Sequence, residues 1–131
     1  MPEKETMRRA QADKRAGKSP STQAGEFVRE EIHHVREGKH GVKNTKQAIA
    51  IGLSKARRAG VKLPASRNSS AATKRSAKSA LGAGARHRKP SPRRARATSQ
   101  ALKRQPHRAV SRKALSRQAK SAARRRNRAT A

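Results

Sequence analysis

The sequence predicts a small all-α protein: an αα-hairpin over residues 25–64, followed by a long disordered basic tail over residues 65–131. Three observations carry that reading. Leu, Ile, Val and Phe together number 14 in 131 residues, well below the ~20% under which a highly charged chain is expected to stay largely unfolded. Ten of the sixteen apolar residues other than alanine fall between Gly25 and Pro64 (Phe27, Val28, Ile32, Val35, Val42, Ile49, Ile51, Leu53, Val61, Leu63), so only there can a core form. The charge is one-sided as well, with 36 Lys and Arg against 7 Asp and Glu and a net +29.

Residues 1–24 are polar and expected to be partly disordered. Arg8, Arg9, Lys14 and Arg15 fit a short helix, which would end before the loop-like stretch Gly17-Lys18-Ser19-Pro20-Ser21-Thr22. From Glu26 to Glu37, Val28, Ile32 and Val35 recur at i, i+4 and i+7 with Phe27 beside them, the stripe of an amphipathic helix. Gly38 then stands where a left-handed C-terminal cap is wanted. After a short loop, Asn44 is placed to cap a second helix over Thr45 to Ala59, with Gln47 reaching back. Gly60 supplies its stop, Val61 the accompanying apolar contact, and Pro64 prevents continuation.

A short connection makes the pair an antiparallel αα-hairpin. Folded units below roughly 40 residues usually need disulfides, metal or oligomerisation, and the chain has no cysteine. The hairpin is therefore expected to tighten on a ligand, or to form a homodimer through Phe27, Ile32, Val35, Ile49 and Leu53. The tail has four apolar residues besides alanine, Leu81, Leu102, Val110 and Leu115, and Pro90, Pro92 and Pro106 divide it. Its Ala, Arg, Lys and Gln favour helix, so Ser70 to Leu81 and Ser111 to Arg126 are expected to become helical once bound phosphate relieves the repulsion of their charges.

All seven acids (Glu3, Glu5, Asp13, Glu26, Glu30, Glu31, Glu37) lie in the first 37 residues, whereas from Gly38 onward there are 28 basic residues and no acid. This asymmetry predicts an arm for a polyanion, nucleic acid foremost. The candidate phosphate-binding residues are Lys55, Arg57 and Arg58 of the second helix and, in the tail, Lys74, Arg75, Arg86, Arg88, Lys89, Arg93, Arg94, Arg96, Lys103, Arg104, Arg112, Lys113, Arg124, Arg125, Arg126 and Arg128. For the three helix residues the plainer expectation is charge pairing with the glutamates of the first helix. Ten phosphate contacts would give a log–log salt slope of about −9.

The chain has one Phe and neither Trp nor Tyr, so it lacks the stacking platforms of single-strand readers. Duplex DNA held through its backbone is favoured, and structured RNA stays open because phosphate contacts discriminate poorly. Pro90-Ser91-Pro92-Arg93-Arg94 resembles the Ser-Pro-basic-basic motif of histone tails, a turn able to offer two arginines to a narrow minor groove. The tail as a whole resembles linker-histone-like tails in composition only.

Other classes are disfavoured. The charged start has no apolar signal region, and no apolar run approaches the ~20 residues of a membrane span. His33, His34 and His40 suggest a metal, but adjacent helix residues point apart, so no metal ligand and no cofactor is expected. No acid lies beyond Glu37, and no HExxH, GxSxG or P-loop pattern occurs, so no catalytic residue is expected.

The stretch Gly25 to His40, GEFVREEIHHVREGKH, with Lys46 to Gly60, KQAIAIGLSKARRAG, resembles an uncharacterised family of small basic bacterial and phage proteins. The resemblance implies a bacterial or phage origin and carries over no catalytic or ligand residue. The expected role is non-enzymatic, largely sequence-independent binding and compaction of DNA in the nucleoid. The alternatives are a structured-RNA or ribosome-associated binding protein, or a protein-interaction module held on DNA by its tail.

Overall fold

The computed structural model describes residues 3–86 and 91–130. Among these the chain is all-helical: α1 (Lys4–Arg15), α2 (Pro20–Arg36), α3 (Thr45–Arg58), α4 (Ala71–Ala85), α5 (Pro92–Lys103), a 3-10 turn (Arg108–Val110) and α6 (Arg112–Thr130).

The two central helices run antiparallel, because Phe27 meets Ala56 in one apolar cluster while Val35 meets Ala48 in another. Both end as the glycines predict. Gly38 (φ 80°) and Gly60 (φ 107°) take left-handed conformations, and the next amides, of Lys39 and Val61, donate back to the carbonyls of His34 and Ala56 at 3.0 Å. Asn44 caps α3 by accepting from the Gln47 amide at 2.8 Å. Gln47 reaches back one residue further than expected, accepting from the Lys43 amide at 2.5 Å.

α2 starts six residues before the predicted point. Ser19 accepts from the Thr22 amide at 3.3 Å and Pro20 takes the first helical position, where its missing N–H costs nothing. The loop-like Ser-Pro-Ser-Thr stretch is thus a helix start. The extra turns carry Ala24 and Phe27, both fully buried, and α1 brings Met7 and Ala10 against them beside Val61. α1 occupies residues expected to be partly disordered.

The largest departure is beyond Pro64, where a disordered tail is expected and helices are found. Each has a local reason and a tertiary one. Ser70 caps α4 and Ser91 caps α5, accepting from the Thr73 and Arg94 amides. On α4 the small residues Ala77, Ala80, Ala83 and Gly84 face inward. A side chain on Gly84 would lie 2.1 Å from the Arg57 carbonyl oxygen, so only glycine allows α4 this close to the end of α3.

Residues 102–110 then fold back onto the other end of the hairpin. The amides of Gly41 and Val42 donate to the carbonyls of Leu102 (2.8 Å) and Pro106 (2.9 Å). Thr45 Oγ1 donates to the Ala109 carbonyl, and His107 Nδ1 donates to the Val35 carbonyl at 2.9 Å. Val110, 1% exposed, completes the cluster of Val35, Val42 and Ala48. The hairpin thus recruits apolar surface from both flanks of the chain, which is how a unit too small to fold alone is stabilised. Of the residues named for a dimer, Phe27 and Val35 are 0% exposed inside their own chain, and Ile32 and Leu53 pack on these clusters.

Gly52 sets the closeness of α2 and α3, since a Cβ there would fall 2.6 Å from the Val28 Cα. In an exposed helix Gly→Ala gains up to about 1 kcal/mol. Here overpacking against backbone costs about 1–3 kcal/mol and wins. Gly52→Ala is therefore expected to lower the unfolding midpoint in a thermal or urea melt, with helix content at low temperature retained.

Candidate nucleic-acid interface

Which cations are open to a polyanion depends on which ones the fold consumes and which it leaves outside. Glu31 points from α2 into the junction with α3 and is fully buried. Lys55 Nζ donates to its Oε2 at 2.6 Å and lies 3.9 Å from Oε2 of Glu30, which is also buried. Glu30 accepts the Glu3 amide on its other oxygen at 2.5 Å, tying the start of α1 to α2. His40 Nε2 sits 2.6 Å from Glu31 Oε1 without the alignment of a hydrogen bond, and Oε1 has no other partner within hydrogen-bond geometry.

A hydrogen bond from His34, followed by that from Lys39, holds the exposed Glu3 carboxyl below its usual range. The pairs that Glu3, Glu5, Glu30 and Glu31 make with Arg8, Arg9, His34, Lys39, His40 and Lys55 all fall in the first 55 residues.

Of the three candidates on α3, two are occupied structurally. Lys55 is committed to Glu31, the charge pairing expected across the hairpin. Arg57 is half-buried and donates from Nε to the Leu63 carbonyl at 2.6 Å, closing the turn after α3; burial draws its pKa below the ordinary arginine value. Arg58 is exposed.

The others on the described residues are exposed: Lys74, Arg75 and Arg86 on and just after α4, Arg93, Arg94, Arg96, Lys103 and Arg104 on and just after α5, and Arg112, Lys113, Arg124, Arg125, Arg126 and Arg128 on α6. Arg88 and Lys89 lie outside the described residues, as does Pro90 of the Ser-Pro motif. The rest of that motif departs from the turn expected. Ser91 caps α5, Pro92 is its first residue, and Arg93 and Arg94 belong to its first turn.

The helical geometry adds cations that the sequence clusters did not single out. Lys113, Arg117, Lys120, Arg124 and Arg128 recur at i, i+4, i+7, i+11 and i+15, so α6 carries one basic stripe. Ala114 on its neighbouring face is buried against the body. The spacing is present in the sequence, within the stretch expected to become helical only on binding, where residue clusters and not a helix face were read. α5 has no buried residue at all and stands across a cavity of about 980 Å³ from α2, α3 and α4.

None of α2 to α6 has an acid in its first turn. The N-terminal end of a helix is partially positive, and an acid there stabilises by about 0.3–1 kcal/mol. On α5 and α6 that place is taken by Arg93 and Arg94 and by Arg112 and Lys113. These helix starts repel their own side chains and would gain from an anion.

Residues 11–67 match the Family of unknown function (DUF6496). The match covers just under half of the chain and takes in the last five residues of α1, all of α2 and α3, and the turn after them. No curated protein and no solved structure matches. Among the described residues no helix is long and apolar enough to cross a membrane.

The division between structural and exposed cations is testable on α3. Lys55→Ala strips a buried carboxylate of its main partner, a loss of about 3–5 kcal/mol for a fully buried pair. Lys55 is 27% exposed, which places the cost near the low end, about 3 kcal/mol. Arg58→Ala is expected to change stability by less than about 0.5 kcal/mol. Chemical denaturation of the two variants checks the contrast.

Proposed function

We propose that this is a non-enzymatic protein that binds duplex DNA through the phosphate backbone, with little sequence preference, and draws duplexes together. The observation that carries the reading is the partition of charge. The carboxylates are confined to α1, α2 and the residues beside them, where Glu3, Glu30 and Glu31 tie elements together, while α5 and α6 present arginine and lysine to solvent over most of their length.

Each exposed cation that reaches a phosphate releases a condensed counterion, so affinity comes from number and falls steeply with salt. The α6 stripe from Lys113 to Arg128 extends about 22 Å at 1.5 Å per residue, a length comparable to more than half a turn of duplex. α5 stands apart from it as a second cationic rod, and two separated rods suit bridging. The lack of Trp and Tyr supports duplex over single strand, because unpaired bases are usually held by aromatic stacking.

Testing this requires the full chain, since ending it at Pro64 would remove Val110 and the backbone bonds to Gly41 and Val42. Binding to a duplex of mixed sequence is measured by fluorescence anisotropy over a salt series. The exposed triple variant Arg117→Gln, Lys120→Gln, Arg124→Gln is expected to reduce the log–log slope by about 2.7. The double variant Arg8→Gln, Arg9→Gln, whose cations already pair with Glu5, is expected to leave it nearly unchanged. An unaltered slope in the triple variant, or no binding of the full chain at physiological salt, would overturn the proposal. Tighter binding to structured RNA at equal salt would transfer the reading to RNA.

A further inference from the structure

We propose that Glu31, His34 and His40 form a binding site for one divalent transition-metal ion, with Zn²⁺ the best chemical match. The three side chains each offer one ligand atom, and these atoms lie within 4.8 Å of one another. The adjacent pair His33 and His34 does not make the site. The turn at Gly38 swings His40 back over α2, so that His34 and His40 face each other with ring centroids 6.4 Å apart. Two imidazoles and a carboxylate with one further position open is a familiar zinc donor set.

The second observation is a buried acceptor without a donor. Glu31 is 0% exposed, and its Oε1 has no hydrogen-bond partner although His40 Nε2 lies 2.6 Å away. His40 Nδ1 is 2.9 Å from the Gly41 carbonyl oxygen. A carbonyl only accepts, so Nδ1 carries the hydrogen, and in the neutral ring Nε2 is left with its lone pair. Two such atoms 2.6 Å apart in a buried place need a proton or a metal cation between them.

A ring tied through Nδ1 to a backbone carbonyl, with Nε2 free to ligate, is also how metal-bound histidines are commonly oriented. Meanwhile Lys55 fixes the other carboxylate oxygen at 2.6 Å, leaving Oε1 as the ligating atom.

The acids are concentrated here, with Lys39 and Lys55 beside them. Against a net charge of +29, Glu3, Glu30 and Glu31 gather here. Glu3, Glu30 and His34 make a second ligand trio that shares His34. With metal–ligand bonds of about 2.0–2.2 Å, tetrahedral ligand atoms lie about 3.4 Å apart. The trio therefore closes on an ion by side-chain movements of about an ångström. The site opens on the 980 Å³ cavity in front of α5, which leaves room for water as the fourth ligand. Bound metal would join α2 to the loop that also holds Leu102 through the Gly41 amide.

The test is titration of the metal-free full chain with Zn²⁺ by calorimetry, in a buffer that does not bind metal, and with Co²⁺ followed by visible absorption. Expected are one ion per chain, an intense tetrahedral Co²⁺ spectrum, and a higher melting temperature with Zn²⁺. His34→Ala and His40→Asn are each expected to weaken binding at least tenfold, and His33→Ala, exposed on α2 and outside the trio, to leave it unchanged. Two substitutions at separate points keep the test decisive if one of them impairs folding, which circular dichroism reports. No saturable binding, an octahedral Co²⁺ spectrum, or equal affinity in folded His34→Ala and wild-type chains would overturn the proposal.

Discussion

The rest of the structure depends on one buried carboxylate. Glu31 sits in the seam between α2 and α3 in a chain with little apolar surface to spend, and Lys55 and His40 converge on it from the facing helix and from the loop. An unpaired charge there would cost several kcal/mol. The seam is consequently selective: α3 can lie on α2 only where Lys55 reaches Glu31 and where Gly52 lets the backbone of Val28 approach. Apolar clusters on either side of this polar point, around Phe27 and around Val35, complete the lock.

The same constraint organises the charge of the whole molecule. Seven acids cannot neutralise 36 cations, and the fold uses them where they tie elements together: α1 to α2 through Glu3 and Glu30, α2 to α3 through Glu31. Past α3 no acid remains, and α4, α5 and α6 must be held by other means. α4 has a seam of small residues against α3, α6 begins on Val110 and Ala114, and α5 has no buried residue and is tied to the body at its end, through Leu102. Helices held so lightly, with cations crowding their N-terminal ends, are elements whose stability a polyanion would raise. On the proposed reading, binding and ordering of these helices are one event.

Much of the central pair could be read directly. The i, i+4, i+7 stripe of Val28, Ile32 and Val35, the stops at Gly38 and Gly60, and the cap at Asn44 each have a local cause that a single sequence displays. What was hidden depends on partners distant in the chain. Ser19-Pro20 reads equally as loop and as helix start until α1 packs on the turns that follow. Val110, a lone apolar residue among cations, gives no sign that it fills a gap left by Val35, Val42 and Ala48. Glu30 and Glu31 look like solvent-facing charges and are both buried, because the closeness at Gly52 sets which face of α2 turns inward. For the proposed interface, composition points to the tail cations, and those among the described residues are exposed. That Lys55 and Arg57 are withdrawn into structure, and that α6 aligns its cations in a stripe, needed the helices in place.

Amide hydrogen exchange of the full chain at low salt, read by mass spectrometry with and without duplex DNA, tests this account most directly. It predicts strong protection of α2 and α3 in both conditions, since their stability comes from Glu31 and the two apolar clusters. Weak protection of α5 and the last turns of α6 should rise at least tenfold when DNA is added. Protection of α5 and α6 that is unchanged by saturating DNA, or α2 and α3 protected only when DNA is present, would contradict it.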